Sequence, residues 1–177
     1  GNKELRDKHR INNKIRKYFI KRFFLLSKFD DGIQLDEESW YSVVGEPISL
    51  WLKNRLLNSK IHLNTVFEPF VGVGGIAVHL SCIAHRYIVN DLDPAKIEML
   101  RNNLSVYGVD QTNIDFNQQD FLEVVPFKSD LIVLCPPWGG TNLEMYATKD
   151  LDEIMVPKLS DILKHACEFS HNMIIQM

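Results

Sequence analysis

Apolar residues recur at helical spacing from the start of the chain. Ile11, Ile15, Tyr18, Phe19, Phe23 and Leu26 share one side of a predicted helix over 5–28, with Lys and Arg on the other. Asp30-Asp31-Gly32 is a turn signal, and an irregular stretch through Trp40 and Tyr41 follows. Pro47 opens a second predicted helix over 46–58, with Ile48, Trp51, Leu52, Leu56 and Leu57 as its apolar positions. From residue 64 the pattern changes to short apolar runs alternating with helices. Strands are predicted at Thr65–Phe70, Arg86–Asp91, Asn113–Asn117, Asp130–Cys135 and Asn172–Met177. Helices are predicted at Ile76–His85, from Asp93-Pro94 to Tyr107 with Gly108 as the stop, and at Leu159–Ser170. Repeated βα units imply an α/β fold, a doubly wound and mostly parallel sheet with helices on both faces. The expected organisation is a small helical extension over 1–58 and an α/β core over 59–177. Doubly wound sheets usually run past a fifth strand, so the last strands are expected to be missing from a truncated core, with Gly1 as a cloning scar.

Composition narrows the class without changing this outline. The 177 residues are 45% apolar and 24% charged, which is ordinary for one globular domain. No apolar run approaches the ~20 residues of a membrane span, and no signal-peptide pattern opens the chain. Cys82, Cys135 and Cys167 lie far apart with no CxxC spacing, which argues against a disulfide framework. His79, Cys82 and His85 recur three apart and His165 precedes Cys167 by two, but neither group makes a four-ligand zinc pattern. No metal is expected.

Charge is unevenly distributed. Residues 1–28 carry ten Lys or Arg against Glu4 and Asp7, a net +8, while the rest of the chain is net −11. Either an anionic partner such as nucleic acid meets the arm, or the arm is a solvated basic helix packed on the acidic body.

Gly72, Gly74 and Gly75 lie between a predicted strand and helix, where glycine lets backbone approach a ligand closely. With Ala77 the segment meets the loose GxGxxG/A dinucleotide pattern, a weak signal that a structural tight turn also explains. Three carboxylates sharpen it. Glu68 precedes the turn, Asp91 ends the second strand within reach of ribose hydroxyls, and Asp120 follows the third within reach of an adenine amine. A nicotinamide dinucleotide and S-adenosylmethionine both remain open at this point. Glu68 favours the second, because that cofactor carries a sulfonium cation rather than phosphates.

Cys135-Pro136-Pro137-Trp138-Gly139-Gly140 follows the apolar run Leu131–Leu134. Two prolines stiffen the backbone and keep carbonyl acceptors while removing N–H donors. Trp138 presents a flat face, and the glycines leave room for a planar ligand. Such a loop suits methylation of an exocyclic amine, whose protons the carbonyls accept. It also suits a rigid turn with a packed indole.

Three stretches together resemble the trimethylguanosine synthase family, RNA cap guanine amino methyltransferases with a class I, Rossmann-like fold. They are Ser27-Lys28-Phe29-Asp30-Asp31-Gly32-Ile33 with Trp40-Tyr41-Ser42-Val43, then Glu68-Pro69-Phe70-Val71-Gly72-Val73-Gly74-Gly75 with Asn90-Asp91-Leu92-Asp93-Pro94, and Pro136-Pro137-Trp138-Gly139-Gly140. The resemblance runs from about Arg16 to Met177. It implies S-adenosylmethionine, leaving as S-adenosylhomocysteine, in a site formed by Glu68, Phe70, Gly72, Val73, Gly74, Asp91, Leu92, Asp120 and Phe121, with Ser42 folding over it. Cys135, Pro136, Pro137 and Trp138 would form the catalytic loop. Trp138, Trp40 and Lys17 would bind substrate, with Trp138 on the guanine and Lys17 on cap phosphates. The implied partner is capped RNA of the small nuclear and nucleolar classes, acted on by a monomeric protein, with no membrane role, in the nucleus and secondarily the cytoplasm. The family usually has Ser where this chain has Cys135, and a thiol is a poor acceptor. Other nucleic-acid amino methylation, and cap or RNA binding without catalysis, are the competing readings.

Overall fold

A computed structural model describes residues 12–139 and 150–177. Its centre is a five-stranded, all-parallel sheet of β1 (Thr65–Glu68), β2 (Arg86–Asn90), β3 (Ile114–Asn117), β4 (Leu131–Leu134) and β5 (Met173–Ile175), in the order β3-β2-β1-β4-β5. The order reverses between β1 and β4, which are paired through Val66 with Leu131 and Phe67 with Ile132. In such sheets ligands collect in the crevice beyond the carboxyl ends of the strands at that reversal. All five predicted strands are present, each shorter at one end or both than the apolar pattern suggested.

Side-chain alternation splits the core in two. Val66, Tyr87, Val89, Leu131 and Val133 face one side. There they meet α4 (Glu46–Leu57), α5 (Ala77–Leu80) and α6 (Pro94–Tyr107). Phe67, Ile88, Ile132 and Leu134 face the other side, against Phe121, Phe169 and α8 (Leu159–Ala166). A short α7 spans Leu151–Ile154. Helix α6 has the ends its sequence announces. The Asp93 side chain accepts from Ala95 N–H at the start, and Gly108 takes a left-handed φ of 74° at the end. Among the described residues no helix is long and apolar enough to cross a membrane.

The N-terminal extension differs from its prediction. In place of one helix over 5–28 there are two single-turn pieces, α1 (Arg16–Ile20) and α2 (Arg22–Leu25), interrupted at Lys21; residues 1–11 lie outside the described part. The break turns Phe23 and Phe24 outward while Ile15, Phe19 and Leu26 remain buried. Helix α4 also faces differently. Glu46, Ser49, Leu52 and Leu56 form its buried side, and Ile48, Trp51 and Leu57 are exposed. Polar Ser49 is inside because its hydroxyl donates to Glu46 C=O. Glu46 is satisfied by Ser27 N–H and the Tyr107 hydroxyl. The expected helix Ile76–His85 is one α-turn, α5, followed by a 3₁₀ turn at Ser81–Ile83. A four-residue helix (Ser39–Ser42, α3) completes the extension.

Candidate active site

The carboxyl ends of β1, β2 and β4, with the loop after β3, enclose a cleft of about 660 Å³. Its walls follow from chain direction. In a parallel sheet every strand delivers its following loop to the same edge, so segments far apart in sequence converge there. Asn90 locks three of them together. Its amide donates to Pro69 C=O and Gln119 C=O, and its carbonyl accepts from Gln119 N–H. Fully buried, it has no solvent alternative, so each bond is needed.

Glu68 ends β1 at the cleft and is 1% exposed. The Tyr87 hydroxyl donates to it at 2.6 Å from the neighbouring strand. Burial pushes its carboxyl up to about 8, with nearby Asp91 adding to the effect and the Tyr87 bond opposing it. Asp91 bridges the first two loops, accepting from Gly72 N–H at 2.9 Å on one oxygen and from Asp93 N–H at 3.0 Å on the other. Each oxygen retains a lone pair, enough for two hydroxyl donors. Burial holds this carboxyl above its ordinary range. Asp120 lines the cleft and uses Oδ1 to accept from Leu122 N–H, which leaves Oδ2 for a further donor.

The glycine turn has two different tasks. Gly72 has φ +53°, and a Cβ there would meet no protein atom within 4 Å, so bare backbone faces the cleft. Gly74, with φ +92°, does not line the cleft; a Cβ there would strike the Leu100 side chain at 2.4 Å. Gly74 thus packs its backbone closely against α6 behind the cleft. Gly75 admits the extension, because a Cβ would lie 2.6 Å from Val44 C=O. Val43 and Val44 thus form a roof over the cleft, continued by Tyr41 and Ser42. The Ser42 hydroxyl donates to Glu38 C=O.

Cys135, Pro136, Pro137, Trp138 and Gly139 line the side formed by β4. Trp138 is half-buried beside the cluster that includes Phe70. Burial, aided by Glu68, drives the Cys135 thiol far above its ordinary range, so it stays protonated and is neither a nucleophile nor a strong acceptor. Phe70, Val73, Leu92 and Phe121 also line the cleft. The aromatic ring of Phe121 is buried against Phe67, Phe70 and Phe169.

Two expected substrate residues lie elsewhere. Trp40 is 1% exposed, with ring centres 5.0 Å from Phe29 and 6.0 Å from Phe19, and it does not reach the cleft. Its expected substrate contact is corrected to a role as the core of the extension, the place where a large apolar ring loses most water contact. Lys17 is exposed outside the cleft. Its ammonium lies 4.8 Å over the Tyr18 ring, which neighbours Tyr41 on the roof. Gly140 lies outside the described residues.

Lys96 was not signalled by the sequence. From α6 it enters the cleft wall and holds the roof, at 2.7 Å from Asp36, 3.3 Å from Glu38 and 3.0 Å from the Ser39 hydroxyl. Asn103 makes a parallel tie, donating to Gln34 C=O and Val73 C=O and accepting from Gln34 N–H. Spacing within α6 could show that both residues share a face with Leu100, but not that their partners lie 30 to 69 residues upstream.

Residues 63–177 match the RNA cap guanine-N2 methyltransferase family. This chain belongs to that family. Among its relatives is trimethylguanosine synthase of Schizosaccharomyces pombe, 32% identical over 147 residues, 78% of this chain and 61% of that protein. The enzyme of the same name from Saccharomyces cerevisiae is 27% identical over 173 residues, 93% of this chain and 54% of that protein. The chain therefore spans just over half the length of the relatives it matches. A solved structure from Pyrococcus horikoshii, assigned as an RNA methyltransferase, superposes with a TM-score of 0.56 at 19% identity. It covers 85% of this chain and 70% of its own, and shares the class I methyltransferase fold.

Proposed function

We propose that this chain is the S-adenosylmethionine-dependent core that methylates the exocyclic amine of a 7-methylguanosine RNA cap, giving the 2,2,7-trimethylguanosine cap. The observation that carries the proposal is Trp138, set by Pro136-Pro137 at the end of β4, on the same cleft as Glu68, Asp91 and Asp120. The family match supports the substrate, and the donor set fits the cofactor. Bare backbone at Gly72 leaves room for its amino acid end, Asp91 keeps two lone pairs for a ribose, Asp120 keeps a free oxygen for an adenine amine, and buried Glu68, protonated while the cleft is empty, offers a carboxyl that a neighbouring cation would ionise. No phosphate-binding helix follows the turn, since α5 is a single turn, which disfavours the nicotinamide reading. When bound, S-adenosylmethionine supplies an electrophilic methyl group on sulfonium.

The chain's own contribution is placement. Pro136 and Pro137 hold carbonyl acceptors for the amine protons, and Trp138 holds the base plane. Fixing a nucleophile in this way contributes up to about 7–11 kcal/mol to a barrier without any strong base. Stacking of the cationic 7-methylguanine on an indole adds about 0.5–2 kcal/mol, a preference an unmethylated cap lacks. Lys17, outside the cleft on the extension, is assigned to the cap phosphates. Small nuclear and nucleolar RNAs in the nucleus are the proposed substrates of the whole protein, acting as a monomer.

Incubation with labelled cofactor and either 7-methylguanosine or guanosine cap dinucleotides tests the reaction. Methyl transfer to the first and little to the second is expected; equal transfer to both removes the proposal. Trp138→Ala should weaken cap binding at least about twofold, from the cation–π contribution alone, and leave cofactor affinity intact by calorimetry. Equal loss of both affinities would mean that the indole only packs.

A further inference from the structure

Residues 12–28 and 47–67 contain nine Lys or Arg and no Asp or Glu, in a chain whose net charge is −3. The fold brings the two stretches together. Helix α2 packs on α4, with the Phe24 ring against Gly45, one turn before Ile48. On the outer side Ile48, Trp51 and Arg55 follow at i, i+3 and i+7, and Ile20, Phe23 and Phe24 continue the surface along α1 and α2. Phe24 is 60% and Trp51 61% exposed, well beyond what scattered surface apolar residues require. Cations rim these rings. The Arg22 guanidinium, itself paired with Asp30 at 2.8 Å, lies 4.2 Å over Phe23, and the guanidinium of Arg55 lies 6.0 Å over Trp51. Arg16, Lys17 and Lys21 have no ion-pair partner among the described residues.

We infer that this outer face of the extension binds single-stranded RNA downstream of the cap, with unpaired bases stacking on Phe24 and Trp51 and phosphates meeting Arg16, Lys21 and Arg55. The inference rests on the cap reading above and extends it from the nucleobase in the cleft to the chain that follows. Exposed rings interleaved with uncompensated cations are what a sequence-tolerant single-strand surface needs. The face also connects to the cleft. Tyr41 lines the roof, Tyr18 lies 6.4 Å from it, and the Lys17 ammonium sits over Tyr18 at 4.8 Å, one helical turn before Lys21. A second copy of the chain would meet the same apolar rings but set Arg16, Lys21 and Arg55 against like charges, which disfavours self-association.

The experiment compares a 7-methylguanosine cap dinucleotide with the same cap on an unstructured ten-nucleotide RNA, and with that RNA uncapped. Affinities are measured for the full chain and for the Phe24→Ala/Trp51→Ala double variant. The capped RNA should bind more tightly than the dinucleotide and show a steeper salt dependence. The double variant should lose about fivefold or more on both RNAs, from loss of base stacking, and nothing on the dinucleotide. Lys21→Gln should reduce the salt slope for the RNAs by about one. Unchanged RNA affinity in the double variant overturns the inference. So does a wild-type dimer, seen by sedimentation, that the double variant dissolves, because the face would then join two copies. The cap reading is judged separately by the dinucleotide: failure to prefer its 7-methylated form removes that reading, whereas the RNA face is judged on the uncapped oligonucleotide.

Discussion

A carboxyl raised to about 8 inside a fold carries a pH signature. Glu68 is protonated in the folded chain between pH 4.5 and 8, where the unfolded chain has lost that proton. The folded state therefore binds more protons, and the stability contribution falls as pH rises through that window. Glu68→Gln should flatten the pH dependence and gain as much as about 4 kcal/mol over the acid form's behaviour at pH 8.5, with no gain at pH 4. Urea denaturation at the two pH values measures it. The position of Glu68 before the glycine turn is legible in the sequence; its protonation is not, because that depends on Tyr87 from the next strand and on total exclusion of water. Trp40 and Trp138 show the same limit. Neither stands in a periodic apolar pattern, and the packing of Phe19 and Phe29 around Trp40 sends that indole inward, whereas Trp138 lines the cleft.

Among the elements, the roof over 34–44 is attached chiefly by polar ties to α6 and by close backbone approach at Gly75. Lys96 and Ser39 hold the Asp36 carboxyl below its usual range in spite of its partial burial. Lys96→Met should cost about 1.5–3 kcal/mol of stability through loss of charged hydrogen bonds and speed proteolysis within 34–44. Lys96→Arg should restore most of both. Gly75→Ala places a methyl on Val44 C=O, which is backbone and cannot swing aside. A loss of about 1–3 kcal/mol is expected by thermal melting, with weaker cofactor binding because the roof must shift. The alternation of strands and helices after residue 64 was readable from periodicity, as were the Asp93 cap and the Gly108 stop. The break at Lys21 was not, nor was the face of α4, which buries Leu52 and Leu56 as expected but turns Ile48, Trp51 and Leu57 outward. Helical spacing counts apolar residues, but Glu46 and Asn103 are drawn inside by partners distant in sequence, and Ser49 by the Glu46 carbonyl one turn back.

At the scale of the molecule, the extension and the sheet share one apolar core. Ile15, Phe19, Leu26, Phe29, Leu52 and Leu56 belong to the same buried cluster as Val66, Tyr87 and Leu131. A fragment of residues 59–177 would expose the inner side of α5 and α6 to water. It should show no cooperative thermal transition by circular dichroism, whereas the full chain unfolds in one step. The boundary at 58/59 marks where strands and helices begin to alternate, and one apolar cluster spans it.

The strand order also governs how the protein is made. Strand β1 pairs with β2, twenty residues on, but its other edge waits for β4, whose Leu131 meets Val66. During synthesis the central strand is thus bare along one side from Glu68 until Leu131 and its neighbours have left the ribosome. A nascent chain of this kind is a natural client for a chaperone that masks open sheet edges, and a pause in translation before β4 would prolong the interval in which it aggregates.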